Sequence, residues 1–545
     1  MADVLSRRSR SASAGSWSGC ITAIAGLLIL LSPSLLLAQS SGRRSRASDE
    51  DVPKARGKTA DQEQPRARGK AGDEDEKGAP APDLARGESE ERVQPARISP
   101  VEIFRDPLAA KYLSMNKLVP LPSTVVAQED LLLVKDMAGN PNTSVDPAVI
   151  DRVVRGLAAH LTERKSILAL LEEPEPDPVK APVAVKKGAA ARKKPESDGG
   201  KAIEKATADL LEPIYRARAA KKEDFLKTYG HALNRYLPPL LRNHLVPRIQ
   251  AMIVLGQAGS SESLGLFQNE IASRSQVLWV KLWALEGISN IKEYGGRFPA
   301  DEESRVARTV SEFLKQKELP WLIQLRGLEA LGALRQAALP TAPSLAPMAN
   351  TAMSYLADTD ARLEVRTEAA RALALMNVSS VPRYNYRLVA YGTGLVAADV
   401  GDEFGELFIE KPAHVQNRPK AQYLAALLAG PVFQSLDGVP DRTNSGLIVA
   451  ASNDQNASKY VRKVLDLVKQ ETQATISLLG SPPTQYGKRK QELAKTTAAL
   501  RKFLGDNPPP SRRLVDKGPQ FNFGQPAGAW RRLSEQPVAD NRRGR

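Results

Sequence analysis

Four histidines and one cysteine are all that this 545-residue chain offers for imidazole or thiolate chemistry. His160, His231, His244 and His414 are scattered, and no two stand three or four residues apart as helix-borne metal ligands would. His231 and His244 are thirteen residues apart, with Pro238-Pro239 breaking the stretch between them. No serine sits in a Gly-x-Ser-x-Gly elbow, and no complete phosphate-cradling loop ending in Gly-Lys-Ser/Thr occurs. Glu302-Glu303 opens a helical pattern, where carboxylates suit the helix dipole. The closest approach to a cofactor motif is Leu388 to Ala397, in which Gly392-Thr393-Gly394 mimics a dinucleotide turn and Glu410 follows about eighteen residues on. Helical patterns flank it on both sides, so the strand–turn–helix context is missing. Helix–helix packing through Gly392 and Gly394 is the expected reason for the glycines. Cys20 precedes an apolar run instead of following it, which excludes a lipid-anchor cysteine. No catalytic, metal or cofactor residue is assigned, and a nucleotide-binding enzyme remains only as an alternative.

What such a chain positions is read from its periodicity. One helical phrase occurs four times between Val246 and Val378, beginning at Pro247, Val280, Ile323 and Val365. Place five is small (Ala251, Ala284, Gly327, Ala369), and place eight is small or Val (Val254, Gly287, Ala330, Ala372). Place nine is branched and apolar (Leu255, Ile288, Leu331, Leu373). Offsets of four, seven, eight and eleven share one face of a 3.6-residue helix. The copies recur every 33 to 43 residues, a period of stacked helix pairs. One pair cannot cover its own apolar face, whereas stacked pairs bury a continuous core.

The flanks divide by composition. Residues 1–40 read as an export signal, with Arg7, Arg8 and Arg10 before the apolar run Ile21–Ala38 and a cleavage site after Ser40. An uncleaved membrane anchor is the alternative. Residues 41–99 form a polar, charge-balanced spacer with no material for a core. Residues 100–173 form a small helical region, including a helix capped by Asp146 and opened by Pro147. It either docks on the repeats or stands alone behind the Pro/Lys/Ala-rich linker 174–200. The repeat domain covers 201–380, and 381–507 is a helical C-terminal cap or a set of degenerate repeats. Residues 508–545 are expected to be a disordered basic tail. Its aromatics Phe521, Phe523 and Trp530 are either incidental or a short docking motif. The net charge of +15 owes much to this tail.

The four phrases resemble the second helix of HEAT repeats, and Val365-Arg366-Thr367-Glu368-Ala369-Ala370-Arg371-Ala372-Leu373 is the best copy. The resemblance implies a fold, an all-α solenoid, and a binding mode; it does not imply a catalytic activity. It also implies a ladder in which a turn Asp and the place-two Arg repeat along the stack. Asp360 and Arg366 fit that pattern, and Arg248 and Lys281 supply cations. Gln324 does not, and Glu318, Gln276 and Asn243 only loosely occupy the acidic place. The expected function is an exported, non-catalytic scaffold holding a protein partner on its concave face. The alternative is an envelope structural protein whose basic tail contacts anionic polymer or membrane. No specific nucleic acid is expected. The expected location is periplasmic or extracellular.

Overall fold

The computed structural model describes residues 106–524 except 107, 123, 173–197, 295, 297, 409–412, 440, 441, 443 and 444. The expected export signal, the spacer, most of the 174–200 linker, Glu410 and Trp530 lie outside the described residues, as does the side chain of His414. Within them the fold is all-α, with isolated bridges but no strand. None of the described helices is long and apolar enough to cross a membrane.

The N-terminal part comprises α1 (Gln128–Gly139), α2 (Pro147–His160) and α3 (Arg164–Glu172). Asp146 caps α2 by accepting from the backbone N–H groups of Ala148 (2.9 Å) and Val149 (3.3 Å), with Pro147 at the first helical position. These helices pack on α4 (Asp198–Ala219) and α5 (Glu223–Tyr236), so the region docks on the repeats. Polar ties reinforce the apolar contact. Lys222 Nζ, between α4 and α5, donates to the carbonyls of Asn140 (2.9 Å) and Thr143 (2.8 Å). Lys135 on α1 pairs with Asp209 (2.9 Å) and Glu212 (2.7 Å) on α4.

The four phrases form α6 (Leu245–Ala258), α8 (Leu278–Glu293), α10 (Trp321–Leu334) and α12 (Leu363–Leu375). Each packs against the next, while α7 (Leu264–Ala272), α9 (Ala300–Leu314) and α11 (Pro347–Ala357) form a second row behind them. The predicted core positions Ala251, Val254, Leu255, Ala284, Ile288, Ala330, Leu331, Ala369, Ala372 and Leu373 are all buried. Small residues set the spacing. A Cβ on Gly256 of α6 would lie 2.5 Å from the Trp283 carbonyl oxygen of α8. One on Gly287 of α8 would meet the Phe267 ring at 2.5 Å.

Beyond the repeats, α13 (Tyr386–Glu406), α15 (Gln455–Gly480) and α16 (Tyr486–Asp506) pack on one another as a three-helix bundle. Helix α13 also lies against α11 and α12. Between α13 and α15 run α14 (Ala413–Leu427), which continues through a π-helical turn (Leu428–Val432) into a last α-helical turn (Phe433–Asp437), and then the short helix Leu447–Ala450. The turns at Leu428–Asp437 rest on α12.

The tail expectation needs correction. Residues 508–524, expected to be disordered, pack against the helices, and residues 525–545 lie outside the described residues. Leu514, Val515 and Phe521 are buried, and Asn385, the cap of α13, donates its backbone N–H to the Leu514 carbonyl at 2.9 Å. Phe523 packs edge-on to Tyr391, with ring centres 5.3 Å apart. Phe521 and Phe523 are therefore structural, because α13 offers apolar surface that the returning strap covers.

Candidate functional site

The place-two residues sit at the N-terminal ends of the stacked helices, as expected, but their bonds differ from an Asp–Arg ladder. Arg248 donates through Nε (3.2 Å) and Nη2 (3.1 Å) to the Asn243 carbonyl, and through Nη1 to Gln276 Oε1 (2.8 Å). Its guanidinium lies 3.8 Å over the Tyr112 ring. Gln324 Nε2 donates to the Leu319 carbonyl at 2.7 Å, again five residues back. The neutral Gln324 thus does the same work as Arg248, which needs a donor more than a charge. Lys281 is buried, with its ammonium 4.8 Å over the Phe313 ring, and burial pushes its pKa down. Asp360 is exposed on the turn before α12, and the carboxylate that meets Arg366 Nη1 is Asp399 of α13, at 2.7 Å. Two histidines are likewise structural. His244 caps α6 by accepting from Val246 N–H on Nδ1 (3.3 Å), while Nε2 faces the Leu113 carbonyl (2.8 Å). His231 pairs with Glu262 at 2.7 Å. His160 is exposed.

The second charge pattern is less visible in the sequence. Places four and seven of the inner helices carry Glu286 on α8, Arg326 and Glu329 on α10, and Glu368 and Arg371 on α12. They form one row across three repeats. Arg326 Nη1 lies 2.9 Å from Glu286 and 2.5 Å from Glu329, and Arg371 Nη1 lies 3.2 Å from Glu368. Burial pushes the Glu286 and Glu368 carboxyls up, and the neighbouring arginines pull them back. The order Arg–Glu on α10 reverses to Glu–Arg on α12, so unlike charges meet across the stack. This row borders half-exposed Ile249, Leu282, Leu325 and Ser289, which lie on the helix side turned away from the second row. At α12 the same side is covered by the chain itself: the Leu428–Asp437 turns rest there, and Gly446 N–H donates to the Ala374 carbonyl at 3.2 Å.

The third cluster joins the repeats to the C-terminal bundle. Asp399 accepts from Arg366 Nη1 through one oxygen and from Arg501 Nη2 through the other, both at 2.7 Å. Arg501 also grips Asp402, with Nη2 at 2.6 Å. Nearby, Glu471 of α15 is fully buried and faces Asp399 and Asp402 of α13 and Thr497 and Arg501 of α16. Its Oε1 accepts from Thr497 Oγ1 at 2.7 Å, while Oε2 has no hydrogen-bond partner. Gly401 of α13 makes the room: a Cβ there would lie 2.1 Å from Oε1. Burial raises the Glu471 pKa from 4.5 to about 7, with Asp402 and Asp399 adding to the rise and Thr497 and Arg501 opposing it. A carboxyl raised on folding adds stability at low pH and loses it as pH climbs through the folded value. Glu471→Gln should therefore remove a fall in stability of roughly 3 kcal/mol, the linkage value of such a shift, that the parent shows as pH rises from the unfolded value of 4.5 to the folded value of about 7. Parallel pH-dependent urea curves for the variant and the parent would contradict this assignment.

The supposed dinucleotide turn dissolves into helix packing. Gly392 and Gly394 lie in the middle of α13, where a Cβ would press on Leu356 and Phe523 at the first and on Leu504 and Val464 at the second. No cluster of candidate metal ligands occurs among the described residues.

These features define a class: an all-α stack of helix pairs of the α-solenoid kind, with buried ion pairs between its repeats. A scan against protein-family models finds no match, and searches of curated proteins and of solved structures find none.

Proposed function

We propose that the chain is a non-catalytic helical-repeat scaffold, of the kind HEAT repeats build, which holds a protein partner on the inner side of α6, α8 and α10. The supporting observation is the contrast along one helix side. Ile249, Leu282 and Leu325 are half-exposed and apolar beside a charge row, whereas the equivalent Thr367 on α12 is buried beneath the chain's own turns. An apolar strip bordered by charges suits a partner segment that buries apolar side chains and meets polar ones at the rim. The charges of the row pair with one another, which argues for positioning over catalysis. The proposed location is outside the cytoplasm, on the strength of the N-terminal apolar run.

The test is a matched pair of chains, one parental and one carrying Leu282→Arg and Leu325→Arg. Crosslinked envelope extract of the host should yield a protein with the parent and lose it at least about tenfold with the variant, on the scale of interface anchors. Both chains should melt alike, because the two positions are already partly solvated. Equal recovery by both would sink the reading.

A further inference from the structure

The basic charge is concentrated on ordered helices as well as on the tail. Residues 455–517 hold thirteen Lys and Arg against five Asp and Glu, a net of +8 in a chain of +15. Part of this is spent internally: Arg501 on Asp399 and Asp402, and Arg489 on Glu492 at 2.7 Å. Lys469 reaches Asp437 only at 3.9 Å. The remainder faces outward. On α16, Lys488, Lys495 and Lys502 are exposed and seven residues apart. Seven residues are nearly two helical turns, so the three ammonium groups follow one line about 21 Å long. The opposite side of α16 carries Leu493, Thr497, Leu500 and Leu504, all buried, so the line is held rigidly on the bundle. Between the lysines stand exposed Gln491, Ala494, Ala498 and Ala499; the acids on this face are Glu492, which is paired with Arg489, and exposed Asp506 at the end of the helix beyond Lys502. On α15, Lys459, Arg462 and Lys463 are exposed and add to the field, which Asp466 only partly offsets.

We propose that this lysine line is a docking site for an anionic phospholipid surface. Lysine presents a hydrated point charge, which suits a diffuse layer of headgroup phosphates better than bidentate readout. A straight, rigid line matches a plane. The short alanines leave the ammonium groups unobstructed and provide no apolar wedge, so the contact is superficial and reversible by salt. A single-stranded nucleic acid would call for stacking platforms. The hairpin's aromatics are instead engaged internally: Tyr460 with Phe503 at 5.4 Å and Tyr486 with Phe408 at 5.4 Å between ring centres. The apolar run Ile21–Ala38 is of a type that brings a chain to a membrane during synthesis. The site is independent of the partner side of α6, α8 and α10, and either can stand without the other.

The full chain is tested by vesicle co-sedimentation, comparing phosphatidylcholine alone with phosphatidylcholine mixed with phosphatidylglycerol, at low and high salt. The apolar run contributes to both vesicle types, so the difference between them reads the charge effect. The expected result is a clear preference for the anionic vesicles that high salt removes. The triple variant Lys488→Ala, Lys495→Ala, Lys502→Ala should lose roughly a hundredfold of that preference, while a chain ending at Gly524 keeps most of it. Its melting temperature should match the parent, because all three side chains are solvated. The proposal is overturned if the triple variant binds like the parent, or if the preference resides in residues 525–545. It is also overturned if the same lysines bind duplex DNA and the vesicles show no preference.

Discussion

Leu331→Asp should unfold the repeat stack. Leu331 is fully buried on α10, at place nine of the phrase, on the side that faces the core. The substitution removes a large apolar side chain and puts a carboxylate where it has no partner. Loss of a buried Leu alone costs about 2–5 kcal/mol, and an uncompensated charge adds several more. That total rivals the whole stability of an ordinary domain, about 5–15 kcal/mol. The damage should also spread, because α10 packs on both α8 and α12, and a repeat without one neighbour loses its interface on that side. Hydrogen exchange should show α8, α10 and α12 losing protection together. Leu325→Arg on the other side of the same helix, six residues earlier, should leave protection intact. Equal effects from the two changes would contradict the register.

Asp399→Ala should cost about 3–5 kcal/mol, the usual penalty for leaving a buried charge alone. Arg366 is 1% exposed, and the Asp399 carboxylate that neutralises it is 5% exposed. Arg501 retains Asp402 and suffers less. The loss should loosen the contact between α12 and the bundle of α13, α15 and α16, seen as faster exchange in α13 before global unfolding. Combining Asp399→Ala with Arg366→Met should recover most of the stability, since removing both members of a buried pair is often close to neutral. Denaturation curves decide the matter. A single-variant loss below about 1 kcal/mol would mean that water reaches Arg366 and that the pair is not a buried joint.

The stack was legible in the sequence because its signal is local. Places one, five, eight and nine repeat within each helix, and a 3.6-residue period maps them onto one side whatever the neighbours do. The same logic reads Gly392 and Gly394 as helix-packing glycines, and the structure places both inside α13. Long-range partners carry no such period. Asp399 lies 33 residues beyond Arg366 and Arg501 lies 102 beyond Asp399, so only the fold reveals that one carboxylate serves both. Asp360, six residues before Arg366, looked the better candidate because it is near in sequence. The row of Glu286, Arg326, Glu329, Glu368 and Arg371 did leave a trace. Charges recur at places four and seven, beside the apolar positions that define the phrase. The strap hid for another reason. Residues 508–524 are rich in Pro, Arg and Gly, and their few apolar side chains form no helix pattern, so burial of Leu514 and Phe521 depends on a groove made elsewhere.

On the proposed reading, a partner protein sits on the inner side of α6, α8 and α10. The most direct test is site-specific photocrosslinking in the host, with the reactive group placed at Ser289 on that side or at Arg308, exposed on the outer helix α9. The scaffold reading expects a discrete protein adduct from Ser289 and none from Arg308. Adducts from Arg308 alone, or none at Ser289 while the chain is folded and abundant, would contradict it.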